Sequence, residues 1–152
     1  MSHTHSLPIH RAAIMDYLPH RDPMLFIDRV TALTENTITI ESDVNADADF
    51  FKGHFPGLPI MPGVLVIETV AQAGALLVSL TKGLEKDKFI AFTNVDEVKF
   101  RKPVYPNETI IVDVEIVRVR IPFYKFSGTA RVGDKAVASL KFAAAQMDFN
   151  QE

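Results

Sequence analysis

Residues 53–83 read GHFPGLPIMPGVLVIETVAQAGALLVSLTKG, and this stretch decides the fold. Its first eleven positions, 53–63, hold three Gly and three Pro. Proline fixes φ and lacks a backbone donor, and glycine reaches unusual φ and ψ, so these positions predict a pinned loop. Nearly continuous apolar sequence follows, with Pro62 suited to a first helical turn and Gly83 to a stop. The sequence therefore predicts one long, buried helix directly after the loop.

The apolar stretch 63–80 is also long enough to raise the alternative of a membrane span. Glu68 and Gln72 interrupt it in its first turns, and a helix that is apolar nearly all round also occurs at the centre of soluble proteins. We favour the buried core helix. The first ten residues, MSHTHSLPIH, contain no apolar core flanked by basic residues, so we expect no signal peptide and a cytoplasmic protein.

Segments with strand character flank this helix. The expected elements are a flexible tail over 1–8, an amphipathic helix over 9–18, strands over 24–33 and 37–44, the long helix, and strands over 89–100, 109–119, 123–132 and 135–147. Glu35-Asn36 and Gly133-Asp134 are typical of hairpin turns. We therefore expect a single α+β domain over 9–152, in which the helix covers one face of an antiparallel sheet.

Composition excludes several classes of function. The chain has 152 residues, a net charge of −3 and no Cys. It therefore has no disulfide, no thiolate nucleophile and no general basic field that would attract nucleic acid. We find no Walker loop, no G-x-S-x-G and no cluster of His, Asp and Glu with metal-ligand spacing. We expect no metal, no cofactor and no nucleic-acid partner.

Two ionisable residues lie within apolar sequence. His54 lies in the pinned loop, and Glu68 follows fourteen positions later in the helix. An ionised carboxylate in an apolar helix is costly unless it has a partner, and the imidazole of His54 is one candidate. Such a pair is suited to general acid–base catalysis near neutral pH. The alternatives are a structural hydrogen bond from His54 and capping of backbone amides by Glu68.

The start of the helix adds a third candidate. The first helical N–H groups have no intrahelical partner and carry partial positive charge. Gly63 has no side chain, so we expect a carbonyl oxygen to approach its N–H closely and an oxyanion to be stabilised there. Gln72 follows Glu68 by one turn, and we expect it to orient the carboxylate.

Three segments carry a family resemblance. They read LPHRDPMLFIDRV (18–30), FFKGHFPGLPIMPGVLVIETVAQAG (50–74) and VKFRKPVYP (98–106). They resemble the 3-hydroxyacyl-[acyl-carrier-protein] dehydratases of the FabZ type. The resemblance implies a hot-dog fold, an antiparallel sheet wrapped around one long helix. It also implies that His54 and Glu68 are catalytic and that the N–H of Gly63 binds the substrate carbonyl.

The resemblance extends to partners. Related enzymes form dimers whose active sites combine His from one subunit with Glu from the other, often assembled further into hexamers. Their substrate is carried by an acidic carrier protein, for which the expected docking residues are Lys99, Arg101 and Lys102, with Arg131 less directly placed. The expected walls of an acyl tunnel are Val64, Ile67, Ala71, Phe92 and Val95. Ordinary core packing and a solvated strand end are the alternatives for these two sets.

Other reactions remain open from sequence. Hot-dog folds also serve acyl thioesterases, and a non-catalytic acyl-binding subunit is a third possibility. The related FabA type, which also isomerises the double bond, has Asp where this chain has Glu68, so Glu68 favours dehydration alone. The chain departs from the family pattern at Asp22, Thr69, Asn107-Glu108 and Ser139-Leu140, none of which is a predicted site residue.

Overall fold

The computed structural model describes residues 5–85 and 87–149. The elements are β1 (Ile9–His10), α1 (Arg11–Ile14), β2 (Arg29–Leu33), β3 (Thr37–Asp43), a 3₁₀ helix (Asp49–Lys52), α2 (Gly63–Lys82), β4 (Lys88–Phe100), β5 (Thr109–Arg120), β6 (Phe123–Val132) and β7 (Lys135–Asp148). The strands form one seven-stranded sheet in the order β1-β2-β3-β5-β6-β7-β4. Every neighbouring pair is antiparallel. The predicted α+β architecture is confirmed.

Helix α2 forms the centre of the core. Eleven of its twenty residues are buried, and they pack against the apolar faces of β3, β5 and β6. Strand β6 approaches the helix closely, because a Cβ on Gly128 would lie 2.5 Å from Cγ1 of Val70. Gly83 ends the helix in the left-handed conformation, with φ of 70°, as the sequence predicts.

The same helix is long and apolar enough to cross a membrane, by length and composition alone. Most of it is buried inside the folded domain. It is therefore the core helix of this domain, and the membrane span considered from sequence is not supported.

The predicted helix over 9–18 is wrong in extent. Only Arg11–Ile14 is helical, and Ile9 instead pairs with Val30 of β2. The apolar spacing that suggested a longer helix places Ile14 and Leu18 in the core through a turn. Of the expected tail, residues 1–4 lie outside the described residues. His5 packs edge-on against Tyr17.

The predicted strand over 24–33 begins only at Arg29. Ahead of it, the backbone of Met24 and Phe26 is bound by a side chain of the helix, whereas the Asp28 N–H already donates to the carbonyl of Glu41 in β3. The Phe26 N–H donates to Oε1 of Gln72, and the carbonyl of Met24 accepts from Nε2 of Gln72. The remaining predicted strands agree with β3 to β7 within two residues at each end. Both predicted hairpin turns are present, with Gly133 at φ of 60°.

Candidate active site

Glu68 lies in the second turn of α2 and is held by its neighbour one turn later. Nε2 of Gln72 donates to Oε2 of Glu68 over 2.9 Å. Gln72 is itself only 1% exposed, and its other bonds go to the backbone of Met24 and Phe26. This arrangement fixes the amide, because both of its N–H donors and one lone pair of its oxygen are occupied. The hydrogen bond from Gln72 to Glu68 is the contact that Gln72 needs to orient the carboxylate.

His20 is a second neighbour of Glu68, and the sequence reasoning did not single it out. Its Nε2 lies 3.6 Å from Oε2 of Glu68. Its Nδ1 is buried and is the one such side-chain atom in the described part of the chain that lacks a hydrogen-bond partner. Burial lowers the pKa of His20 below its ordinary value, Glu68 partly offsets this, and Arg21 adds a smaller lowering. His20 is therefore mainly neutral at neutral pH.

A cavity of about 220 Å³ adjoins this cluster. It is lined by Pro19, His20, Glu68, Ala71, Gln72, Ala75, Phe89, Ile90, Ala91, Phe92, Phe142 and Ala144. Two of the five expected tunnel residues, Ala71 and Phe92, therefore face it. The other three lie elsewhere: Val64 is 70% exposed, Val95 is on the open part of β4, and Ile67 packs against the core.

His54 lies in the pinned loop after the 3₁₀ helix. Its Nδ1 is 2.7 Å from the carbonyl oxygen of Ile60, and the backbone of the loop closes on itself because the Ile60 N–H donates back to the carbonyl of His54. A carbonyl only accepts, so Nδ1 carries the proton and Nε2 keeps its lone pair in the neutral ring. The ring also stacks on Phe55, with centroids 3.9 Å apart. The loop thus holds His54 with Nε2 ready to accept a proton.

The single chain does not join the two expected catalytic groups. Within residues 5–85 and 87–149, no hydrogen bond or ion pair links His54 and Glu68. The groups near the carboxylate are Gln72 and His20.

Gly63 is the first residue of α2, as expected, but its missing side chain has a further reason. A Cβ at this position would lie 2.8 Å from Cε1 of Phe100. The space that we expected a substrate oxygen to use is therefore next to an aromatic ring in the single chain. The ring of Phe100 is 54% exposed. Among the described residues, the N–H of Gly63 has no hydrogen-bond partner, as is usual in the first turn of a helix.

The expected docking residues are exposed at the end of β4 and just after it. They flank Phe100, whose ring lies next to Gly63 at the start of α2. Arg131 differs, because its guanidinium lies 3.6 Å from Asp113 and donates to the carbonyl of Gly133.

A second exposed basic surface lies at the β5–β6 hairpin, which was not singled out from sequence. It consists of Val117, Arg118, Val119, Arg120, Ile121 and Phe123.

A second and larger cavity lies elsewhere. An open groove of about 920 Å³ is lined by residues of the 22–28, 42–50 and 107–109 segments, with Met61 and Leu65. It contains none of the expected catalytic, docking or tunnel residues. Within the described residues, no group of three or more His, Asp or Glu is placed to hold a metal ion.

The departures from the family pattern have local explanations. Asn107 stands where Gly is usual and has φ of 68°, a left-handed conformation that Asn tolerates better than most residues. Glu108 accepts from the N–H of Tyr105 over 2.7 Å. Thr69 is buried beside Glu68 but turns its hydroxyl to the carbonyl of Leu65. Asp22 pairs with Arg11. These contacts complete turns and helix packing and leave Glu68 untouched.

Comparison with known proteins identifies the fold and the family. The model of the FabA-like domain matches residues 18–141. The solved dehydratase heterocomplex of Xenorhabdus doucetiae superposes with a TM-score of 0.76 over 95% of this chain and 94% of that one, at 18% identity. A thioesterase from Haemophilus influenzae superposes with a TM-score of 0.59 over 82% of this chain and 80% of that one, at 13% identity. These two likenesses establish the hot-dog fold and do not distinguish the reactions.

Sequence relatives are more specific. The 3-hydroxyacyl-[acyl-carrier-protein] dehydratase FabZ of Caulobacter vibrioides is 46% identical over 137 residues, covering 88% of this chain and 85% of the relative. FabZ of Syntrophobacter fumaroxidans is 44% identical, covering 88% of this chain and 90% of the relative. The chain therefore belongs to the FabA-like family and, within it, to the FabZ-type dehydratases. The predicted resemblance is confirmed.

Proposed function

We propose that this protein dehydrates (3R)-3-hydroxyacyl-[acyl-carrier-protein] to the trans-2-enoyl thioester in type II fatty-acid synthesis. The observation that carries the proposal is the setting of Glu68, a carboxylate held by Gln72 at the wall of a largely apolar cavity. The identity of 46% to a FabZ dehydratase supports it. The fold likeness to thioesterases is too distant in sequence to favour hydrolysis, and a non-catalytic subunit has no need of the His54–Glu68 pair.

The proposed reaction uses three groups of the chain. Nε2 of His54 removes a proton from C2 of the thioester, while the N–H of Gly63 binds the thioester oxygen as negative charge builds there. The C2–C3 double bond forms as the C3–O bond breaks. Glu68 protonates the departing hydroxyl, which leaves as water. The opposite assignment of acid and base uses the same two residues.

The site requires a second chain. The cavity of about 220 Å³ is smaller than the roughly 300–1,000 Å³ of a typical ligand site. Strand β4 is an edge strand of thirteen residues that pairs only with β7, and it exposes Phe92, Val95 and Phe100. An exposed apolar edge of this kind favours pairing with another chain. We therefore infer a homodimer in which His54 meets Glu68 of the partner subunit, with a trimer of dimers as the larger assembly.

The carrier protein is the proposed macromolecular partner. Carrier proteins are acidic, and this chain has a net charge of −3, so docking requires a local basic surface. Lys99, Arg101 and Lys102, which are exposed and flank Phe100, supply the proposed surface. The proposed compartment is the cytoplasm, and the absence of Cys fits a reducing compartment.

The proposal is tested by product analysis of wild type and His54→Ala. Each protein is given a 3-hydroxyacyl thioester on carrier protein, or on a short thiol surrogate, over short and medium chain lengths. We expect enoyl absorbance without free thiol from wild type, and a rate lower by about 10²–10⁴-fold from His54→Ala and from Glu68→Gln. The matched control is His10→Ala, an exposed histidine, which we expect to behave as wild type. Free thiol from wild type would establish hydrolysis instead, and no product at any chain length would remove the enzyme assignment.

A further inference from the structure

Gln72 and His20 both lie next to the same carboxylate oxygen of Glu68, Oε2. The amide of Gln72 donates to Oε2 over 2.9 Å, and Nε2 of His20 lies 3.6 Å from Oε2. The other oxygen, Oε1, has no partner among the described residues. The carboxylate is part of the cavity wall and its side chain is 25% exposed. One oxygen is thus held by the protein and the other is left for a substrate.

The unpaired Nδ1 of His20 identifies the tautomer of the ring. An orphaned buried N–H is rare and costly, whereas a bare lone pair is tolerated more often. Because Nδ1 is buried without a partner, the favoured form carries its proton on Nε2. That N–H then faces Oε2 of Glu68. A charged imidazolium would bury an unpaired N–H at Nδ1, and burial already disfavours the charge by lowering the pKa of His20.

We propose that His20 is a positioning residue of the dehydratase site. With Gln72 it fixes Oε2 of Glu68, so that Oε1 exchanges the proton with the substrate; this rests on the proposed function. The two donors suit both states of the group, since Oε2 accepts from them whether Oε1 is ionised or carries the proton. The contact of 3.6 Å shortens when substrate fills the cavity, because catalytic hydrogen bonds are often long in the empty enzyme.

Substitutions of His20 distinguish a role in positioning Glu68 from a role in only lining the cavity. The amide of glutamine reaches as far as Nε2 of histidine, and that of asparagine only as far as Nδ1. We therefore expect His20→Gln to keep kcat within about threefold, and His20→Asn and His20→Phe to lower kcat by roughly 10- to 100-fold with little change in KM. His10→Gln is the matched control. A kcat of His20→Asn and His20→Phe equal to that of wild type would overturn the proposal. A rise in KM at constant kcat would also overturn it, because His20 would then be a substrate contact.

A spectroscopic measurement tests the same proposal without turnover. In the full protein at neutral pH, the ¹⁵N chemical shifts of the His20 ring distinguish the tautomers. We expect a protonated Nε2 and a bare Nδ1, with the Nε2 signal moving in Glu68→Gln. A proton on Nδ1, or a charged ring, would overturn the assignment. Absence of dehydration by wild type would instead refute the proposed function, and the ring tautomer would still report on His20. Thermal unfolding of each variant identifies any that fail to fold, and the spectrum of wild type does not depend on them.

Discussion

Gln72 connects the helix that bears Glu68 to the segment in front of β2. It is 1% exposed, and its amide serves Glu68, the Phe26 N–H and the Met24 carbonyl. Leucine in its place keeps the volume and leaves the two backbone groups unpaired in the core. Each unpaired buried group costs about 1–3 kcal/mol. The residue therefore has a structural role in addition to any catalytic one.

We expect Gln72→Leu to lower the free energy of unfolding by about 2–4 kcal/mol, the cost of these lost partners. Urea denaturation followed by circular dichroism measures it. The matched control is Gln146→Leu, in β7, whose side chain is half-buried and makes no hydrogen bond within the described residues; there we expect a change within about 0.5 kcal/mol. Equal stability of the two variants would mean that water or a shifted backbone satisfies Met24 and Phe26.

Sequence alone identified the polar groups that apolar surroundings make costly. Glu68 was found because a carboxylate in an apolar helix needs a partner, and His54 because it lies in a loop fixed by Gly and Pro. His20 was missed, because a histidine after a proline at a turn carries no periodic or spacing signal. Its position against Glu68 arises only when the 18–26 segment folds across α2. The tertiary contact, not the local sequence, makes it part of the site.

Helices and strands were predictable from sequence where a clear pattern of apolar residues continued for many positions. The long helix and strands β5 to β7 follow from continuous or alternating apolar sequence, and their ends agree with the structure within two residues. The errors fall where tertiary hydrogen bonds replace local ones. Ile9 joins the sheet instead of a helix, and the Met24–Asp28 backbone is partly bound by Gln72 instead of a strand. Apolar spacing does not contain this information.

Two exposed basic elements are candidates for docking the proposed carrier protein. One is the end of β4 and the residues after it, with Lys99, Arg101 and Lys102, and the other is the β5–β6 hairpin with Arg118 and Arg120. The first lies beside the start of α2, where Phe100 contacts Gly63. We favour the first element, because Phe100 places this part of the chain next to the proposed carbonyl site.

Charge reversal distinguishes these two elements. We expect Arg101→Glu with Lys102→Glu to raise KM for the carrier-bound substrate by roughly 10-fold, and to leave KM for the short thiol surrogate unchanged, because the surrogate has no docking surface. The matched comparison is Arg118→Glu with Arg120→Glu, which changes the net charge of the protein by the same amount. A larger effect of that second variant would assign docking to the hairpin, and no effect of either would remove electrostatic docking.

On the scale of the whole molecule, strand β4 forms one edge of the sheet, and its outer side pairs with no other strand of the described residues. Strand β4 carries register shifts after Phe92 and after Asp96, and Glu97 has φ of 51°. Such bulges interrupt an edge and limit uncontrolled pairing. Of the exposed apolar residues on this strand, Phe92 lines the cavity that holds Glu68. An edge that is both apolar and interrupted favours one defined partner over open-ended association.

A shared site makes a prediction that no single-chain site satisfies. In a dimer with two sites, each built from His54 of one subunit and Glu68 of the other, a mixed dimer of His54→Ala and Glu68→Gln chains has one intact site and one site lacking both groups. Random mixing of equal amounts, by joint unfolding and refolding, produces half mixed dimers. We therefore expect the mixture to recover about a quarter of wild-type activity, whereas each variant alone stays nearly inactive. Refolded wild type is the control for recovery, and size-exclusion chromatography with light scattering verifies the dimer. An inactive mixture of well-folded dimers would place His54 and Glu68 in the same chain's site and would require the loop at 53–62 to move toward the helix.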